Sequence, residues 1–128
     1  MRFPDKLDVL AAHARLIAET GGAVGLRDEG LLESALAAAA NRFSYEDADV
    51  IACAAAFAYL LTQAHAFVDG NKRLAAAITE TFIESNGSEL MMNDDEVVRL
   101  FVDIAAGIMT RHDVEELLRR NISKGKSN

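Results

Sequence analysis

The chain has 128 residues, of which 51% are hydrophobic and 26% are charged, which is typical of one folded domain and excludes a wholly disordered chain. Alanine is abundant, aromatic residues make up only 6% and there is one proline, so close-packed helices are favoured over a β-sandwich or barrel. Thirteen basic and 20 acidic residues give a formal net charge of −7, which excludes a broadly basic, nucleic-acid-binding surface.

The expected location follows from the cysteine and apolar content. A single cysteine, Cys53, allows no disulfide within the chain and is typical of a reducing compartment. The longest apolar run, residues 50–61, is shorter than the roughly 18–20 residues that cross a bilayer. Charged residues such as Arg2 and Asp5 interrupt any secretory signal pattern. The sequence therefore predicts a soluble, cytoplasmic protein without membrane contact.

The first part of the chain predicts two helices. Apolar residues recur at helical spacing over residues 4–20, and the glycine pair at 21–22 ends this helix. Its predicted apolar stripe consists of Leu7, Leu10, Ala11, Ala14, Ile17 and Ala18. His13, in mid-helix, is predicted to be an ordinary surface or partly buried residue. Asp28 is predicted to cap a second helix that ends near Asn41.

A third helix is predicted to be the centre of the fold. Ser44 and Asp47 resemble a helix start, and the helix is expected to reach about His65. Residues 50–61 are apolar on every face of this helix. In a soluble protein such a helix is surrounded by others, so it is predicted to be a buried central pillar.

The second half of the chain predicts three more helices. A fourth helix is expected over residues 71–85, followed by a short extended piece at residues 90–92. Asn93 is predicted to open a fifth helix and Thr110 to cap a sixth. The apolar stripe of the fifth helix is Val97, Leu100, Phe101, Ile104 and Ile108. The prediction is an all-α, compact single-domain bundle of about six helices over residues 1–122, with a short polar tail at 123–128.

Charged residues follow each other where the third helix gives way to the fourth. Lys72 and Arg73 stand at the start of a helix, where the helix dipole disfavours cations unless an anion is bound beside them. Gly70 lets the backbone approach such an anion, and Asn71 can cap the helix. Lysine and arginine are common ligands of phosphate oxygens. This junction is therefore predicted to bind phosphate.

Two further residues complete a possible group-transfer site. Asp69 offers a single carboxylate, which is a common way of holding Mg²⁺ when phosphates complete its shell. His65 is a candidate general base for a hydroxyl nucleophile, a role that histidine often takes in catalysis. The alternative is a charged helix junction with His65 as an ordinary core residue. A Walker loop is excluded because Asn71 separates Gly70 from Lys72.

The pattern His-x-Phe-x-Asp-Gly-Asn-Lys-Arg over residues 65–73 resembles the motif of the Fic/Doc family. The lysine after the asparagine matches the Doc branch, and residues 21–36 resemble the amino-terminal half of Doc toxins. The resemblance implies a compact helical Fic fold in which His65 deprotonates the target hydroxyl and Asp69 holds Mg²⁺. It assigns the phosphates to Gly70, Asn71, Lys72 and Arg73, and makes Phe67 the structural anchor of the turn.

The reaction that the resemblance implies depends on two positions. Adenylyltransferases of the family usually have glycine in place of Lys72 and a second arginine in place of Ala76. Doc proteins are instead kinases that transfer the ATP γ-phosphate to a threonine of elongation factor Tu and so arrest translation. Two alternatives stay open: transfer of AMP to a hydroxyl side chain, and a catalytically idle member that binds a partner within a repressor complex.

Regulation by a second protein is implied as well. Some family members carry an inhibitory helix with the pattern Ser/Thr-x-x-x-Glu-Gly/Asn, and the closest match here, residues 85–89, is predicted to lie on a loop. No internal inhibitor is therefore predicted. The Doc resemblance implies a separate Phd-like antitoxin whose carboxy-terminal segment folds as a helix into a groove on the toxin.

Overall fold

The computed structural model describes residues 1–46 and 49–124. The elements in this part of the chain are α1 (Lys6–Thr20), α2 (Glu29–Glu46), α3 (Val50–Ala64), α4 (Asn71–Ser85), β1 (Ser88–Leu90), α5 (Asp94–Ala105), α6 (Arg111–Asn121) and β2 (Ile122–Lys124). This confirms the prediction of an all-α bundle of six helices. Among the described residues, no helix combines the length and the apolar character that a membrane span requires.

Helix α3 is the buried centre of the bundle, as predicted. Every residue from Ala52 to Ala58 is buried, and Leu61 and Thr62 continue the buried surface. The helix packs against α2, α4, α5 and α6. Because most of these side chains are alanine, the neighbouring helices can approach closely, while Phe57 packs against the rings of both Phe3 and Phe82. His65 follows directly after the last residue of this rigid element.

Side chains cap most of the helices at their first turn. Asp28 accepts a hydrogen bond from the Leu31 N–H at 2.9 Å, which confirms it as the start of α2. Asn93 and Thr110 form capping boxes at α5 and α6, also as predicted. Asp5 caps α1, which therefore begins two residues after Pro4. These caps satisfy amide groups that have no partner within their helix.

The predicted boundary between the second and third helices is wrong. Helix α2 continues past Asn41 to Glu46, so Ser44 lies inside a helix and does not start one. Helix α3 begins at Val50, where Asp49 caps it through the Ala52 N–H at 2.9 Å. Asp47, the other predicted start signal, lies outside the described residues. The alanine-rich segment before Asn41 favours a helix, and no glycine or proline interrupts it there.

The predicted apolar stripes need correction at two helices. The buried residues of α1 are Val9, His13 and Ile17, whereas Leu7 is 73% exposed. Alanine is apolar but small, so the alanines of α1 are compatible with several faces and do not define one. In α5 the stripe is confirmed as far as Ile104, but Ile108 lies beyond the end of the helix and is exposed.

A small sheet joins the C-terminal end of the described chain to the α4–α5 connection. Strand β2 pairs with β1 in antiparallel register, with Leu90 opposite Ile122. The extended piece predicted at residues 90–92 therefore lies two residues earlier, at Ser88–Leu90. The structure also places residues 123 and 124 of the predicted polar tail in a strand. Residues 125–128 lie outside the described chain, and the domain boundary stays a prediction.

Candidate functional site

His65 is the C-cap residue of α3, and its backbone conformation is unusual. It adopts φ 47° and ψ 44°, the left-handed region, and is the one described residue other than glycine with a positive φ. This conformation costs a residue with a Cβ roughly 1 kcal/mol, and helices normally use glycine or asparagine for it. The side chain is exposed. A strained, exposed histidine at the end of a rigid buried helix is available as a proton acceptor.

Asn71 closes the turn after His65 with two side-chain hydrogen bonds to the backbone of Phe67. The Asn71 side chain accepts a hydrogen bond from the Phe67 N–H at 3.0 Å and donates one to the Phe67 carbonyl at 2.8 Å. Both ends of the amide are therefore used to close the turn. The prediction that Asn71 caps α4 is wrong, since Gly70 occupies the cap position and provides no side chain.

Phe67 lies in the core beneath this turn. It is 3% exposed, and its backbone forms an antiparallel bridge with Leu26 in the loop between α1 and α2. The adjacent Ala66 carbonyl accepts hydrogen bonds from the N–H groups of Arg27 and Asp28 at 2.7 and 3.0 Å. The turn is thus attached to the α1–α2 loop as well as to the core. Such bonding fixes the backbone that positions His65 and Asp69.

The Asp69 carboxylate is held by backbone amides. Oδ1 accepts a hydrogen bond from the Gly70 N–H at 2.8 Å, and Oδ2 accepts one from the Ala23 N–H at 3.3 Å. These two bonds, the Gly70 bond foremost, lower the pKa of Asp69 below its ordinary value, and the charges of Arg73 and His13 act in the same sense. The group is therefore an ionised, oriented carboxylate at neutral pH, with nearly half of its side chain exposed.

The glycine pair after α1 does more than end the helix. Gly21 ends α1 with a φ of +78°, as predicted. Gly22 has a φ of +117°, and a Cβ on it would lie 2.6 Å from Asp69 Oδ2. Only glycine therefore allows the loop to approach the Asp69 carboxylate and present the Ala23 amide to it.

The first turn of α4 presents positive charge and unpaired amides at the same place. Gly70 gives α4 no side-chain cap, in contrast to the other helices that begin within the described residues. Lys72 is exposed and bonds to none of the described residues. Arg73 donates a hydrogen bond to the Thr20 hydroxyl and lies 3.9 Å from Asp69 Oδ1. Helix dipole, amides and two cations together favour a phosphate group here.

His13 is a part of this site that was not predicted. It is 3% exposed, so the prediction of a surface or partly buried residue is wrong. Its Nε2 lies 2.8 Å from the main-chain oxygen of Asp69, and its ring stacks on Phe67 with centroids 3.9 Å apart. Thr20, the last residue of α1, accepts the hydrogen bond from Arg73 and was not predicted as a site residue either. The signal for His13 was its spacing, since it lies four residues from both Val9 and Ile17.

The residues present fit a magnesium ion shared with phosphates. No group of three or more potential ligands (His, Cys, Asp, Glu) occurs among the described residues. Asp69 supplies one ionised, half-exposed carboxylate beside the start of α4. A single carboxylate combined with substrate phosphates and water is how Mg²⁺ is usually bound. Asp69 is therefore the residue that would hold the ion.

A groove of about 590 Å³ lies between α1 and α4. Its apolar lining includes Ala12 and Leu16 from α1 and Ala77 and Ile78 from α4. Leu16, which lines the groove, also lies beside the turn at residues 65–73, since a Cβ on Gly70 would lie 3.3 Å from its side chain. The charged residues along the groove are Arg2, Asp8, Arg15 and Glu19.

Comparison with known proteins gives concordant results. A model of the Fic/DOC family matches residues 3–83, which include the whole segment 65–73. The chain is 29% identical over 121 residues to the protein named Protein kinase doc from Escherichia phage P1, an alignment that covers 94% of this chain and 95% of the relative. It is 39% identical over 95 residues to a protein named Toxin Doc from Mycolicibacterium smegmatis, covering 73% of this chain and 71% of that relative.

Proposed function

The chain belongs to the Fic/DOC family, in its Doc branch, and on that basis we propose that it is the toxin of a toxin–antitoxin pair and acts as a protein kinase. The observation that carries the proposal is the first turn of α4, where unpaired amides, Lys72 and Arg73 lie beside the ionised Asp69. One relative is named a protein kinase and the other a toxin, which supports both parts of the proposal.

The reaction requires a base, a phosphate cradle and an oriented acceptor. His65 takes the proton from the target hydroxyl while that oxygen bonds to the γ-phosphorus of ATP. The bond between the γ-phosphorus and the β,γ-bridging oxygen breaks, and ADP leaves with the electron pair. Lys72, Arg73 and the amides of the α4 first turn stabilise the charge on the phosphate oxygens. No covalent enzyme intermediate is needed, because phosphoryl transfer depends mainly on positioning and electrostatics.

The carboxylate of Asp69 has a separate task. When bound, Mg²⁺ neutralises part of the negative charge on the phosphates. Asp69 is prepared for this because its amide hydrogen bonds keep it ionised and hold its orientation before any nucleotide arrives. The Asp69–Arg73 distance of 3.9 Å is long enough that the guanidinium is not committed to a tight ion pair. To turn towards a phosphate, Arg73 exchanges its hydrogen bond to the Thr20 hydroxyl for one to a phosphate oxygen.

Two sequence positions favour transfer of the γ-phosphate over transfer of AMP. Lys72 adds a side chain with a positive charge to the phosphate cradle, and Ala76 provides no second arginine on α4. The proposed acceptor is a threonine hydroxyl of a translation factor, with elongation factor Tu as the substrate to test first. Phosphorylation of that factor would arrest translation.

Labelled ATP tests reaction and substrate in one experiment. Purified protein, Mg²⁺ and elongation factor Tu are incubated in parallel with ATP labelled at the γ- or the α-phosphate. The proposal expects label on the factor from γ-labelled ATP only, and no transfer by His65→Asn, which keeps a residue that tolerates the left-handed backbone. Label from α-labelled ATP would replace the kinase by an adenylyltransferase. No transfer from either, together with no growth arrest by the wild-type chain, would favour the idle partner-binding role.

The antitoxin proposed for this toxin is a small Phd-like protein whose carboxy-terminal helix docks in the α1–α4 groove. The groove has apolar side chains between two 15-residue helices, and its lining residue Leu16 lies beside Gly70 of the motif turn, which suits an amphipathic helix. We expect the chain to arrest growth when expressed alone and the product of a small adjacent gene to restore it. Ala77→Arg, which fills the groove, should abolish the rescue but leave the toxicity intact. Rescue of Ala77→Arg at wild-type efficiency would exclude this groove.

A further inference from the structure

The peptide unit between Asp69 and Gly70 connects the main parts of the site. Its carbonyl oxygen belongs to Asp69, and its N–H belongs to Gly70 and bonds to Asp69 Oδ1. Because the peptide group is planar, rotating this unit moves both groups at once. Gly70 has a φ of +77° and also caps α4, so the same unit sets where the α4 amides begin. A glycine on one side makes rotation easy unless something holds the plane.

His13 is the side chain that holds this plane. Its Nε2 lies 2.8 Å from the Asp69 carbonyl oxygen, and since a carbonyl only accepts hydrogen bonds, Nε2 must be the donor. The ring is 3% exposed and lies flat on Phe67, with an interplanar angle of 17°. Stacking on a buried ring from one side fixes the direction in which the N–H points. The hydrogen bond is partly buried, and a hydrogen bond away from water is stronger than one in water.

We propose that His13 is a positioning residue for the transfer reaction: through its hydrogen bond to the Asp69 carbonyl it fixes the Asp69–Gly70 peptide plane, and with it the Asp69 carboxylate and the first turn of α4. His13 touches neither nucleotide nor target. The kinetic part of this inference rests on the proposed kinase reaction, whereas the orientation of the peptide plane can be measured without any substrate.

Three variants separate the hydrogen bond from the packing. His13→Gln retains a donor close to the position of Nε2 but loses the ring. His13→Leu fills a similar volume but has no donor. Val9→Ala, one turn earlier on the buried face of α1, removes packing at a fully buried residue that lies outside the site. Thermal unfolding of all three gives the structural cost of each change.

The first measurement is amide hydrogen exchange in the protein without nucleotide. We expect the Gly70 amide to exchange about five- to tenfold faster in His13→Leu, because the plane that aligns it with Asp69 Oδ1 is released. It should stay within about threefold of the wild type in His13→Gln and in Val9→Ala. Equal acceleration in His13→Gln and His13→Leu, or none in either, overturns the proposal whether or not the protein is a kinase.

The second measurement separates kcat from the KM for the target protein, using γ-labelled ATP and the factor that accepts the label. We expect His13→Leu to lower kcat about tenfold with an unchanged target KM, and His13→Gln to recover most of the rate. A purely structural role would lower stability in both variants without this split. If the wild type transfers no label, the proposed function fails and the exchange result alone decides the role of His13.

Discussion

Gly22 provides the sharpest test of whether the position of the Asp69 carboxylate matters. A Cβ at Gly22 would lie 2.6 Å from Asp69 Oδ2, the oxygen that accepts the Ala23 amide. In Gly22→Ala that oxygen must retreat by roughly 0.8 Å to reach ordinary van der Waals distance, and a displacement of about 1 Å within a catalytic site can cost about 100-fold in rate. The Ala23 hydrogen bond, already 3.3 Å long, would be lost with it.

The same substitution also strains the backbone, and Gly21 allows the two effects to be separated. Gly22 has a φ of +117° and Gly21 a φ of +78°, so alanine at either position costs about 1–3 kcal/mol of stability. A Cβ on Gly21, however, would meet no atom within 4 Å. Gly21→Ala is therefore a matched control with the strain of Gly22→Ala but without the contact to Asp69.

Urea unfolding and phosphoryl transfer are measured on both variants, with Mg²⁺ titrated at saturating ATP. We expect similar losses of unfolding free energy, but a transfer rate lowered about 10- to 100-fold and a higher Mg²⁺ requirement only in Gly22→Ala. If Gly21→Ala loses as much activity, backbone strain and not the carboxylate explains the effect. Wild-type transfer by Gly22→Ala would show that the observed position of Asp69 is not needed.

Three further predictions concern stability. His65→Gly should raise the unfolding free energy by about 1 kcal/mol in urea, because glycine accepts the left-handed backbone, while it abolishes transfer; lower stability would show that the side chain supports the fold. Thr62→Val should raise the unfolding free energy by about 1 kcal/mol, since the buried Thr62 hydroxyl has no hydrogen-bond partner among the described residues. Thr79→Val should lower it, because it removes a 2.7 Å hydrogen bond to the Ala75 carbonyl. A change of the same sign in both variants would contradict this reasoning. The hydrogen bond from Arg119 lowers the pKa of Asp49 below its ordinary value of 3.8. The stability that results is present above pH 3.8 and is lost as the pH falls through the lower pKa of the folded state. Asp49→Asn should therefore flatten the acid limb of a curve of unfolding free energy against pH, and an unchanged limb would exclude the Asp49–Arg119 pair as a contributor.

The fold was predictable from the sequence where the side chains of an element are compatible with only one position in the bundle. The centre of α3 is apolar on all faces, and only a position inside the bundle buries it, so its role followed from the sequence. The end of α2 was not predictable in the same way, because Ser44 is compatible with a helix start and with a helix interior. Strand β2 is three residues long and exists through its pairing with β1, a contact that no local pattern encodes.

The site was predictable as a set of residues but not as a set of contacts. The cations at the start of α4 conflict with the helix dipole, and that local conflict marked the segment as functional. An asparagine side chain can cap a helix or close a turn by hydrogen bonds to the backbone. The sequence therefore did not predict that Asn71 bonds to the backbone of Phe67. The contribution of Ala23 is a main-chain amide, which carries no signature in a sequence at all.

Helix α1 shows which further signal a sequence can carry. Its buried face repeats every four residues at Val9, His13 and Ile17, and a polar group on such a face must find a partner inside the protein. A histidine between two buried aliphatic residues therefore implies a buried acceptor elsewhere in the chain. Here that acceptor is the Asp69 carbonyl, 56 residues away. Because the acceptor lies within the segment 65–73, the nine-residue motif is incomplete without α1: the motif supplies the reacting groups, and α1 fixes the backbone from which they project.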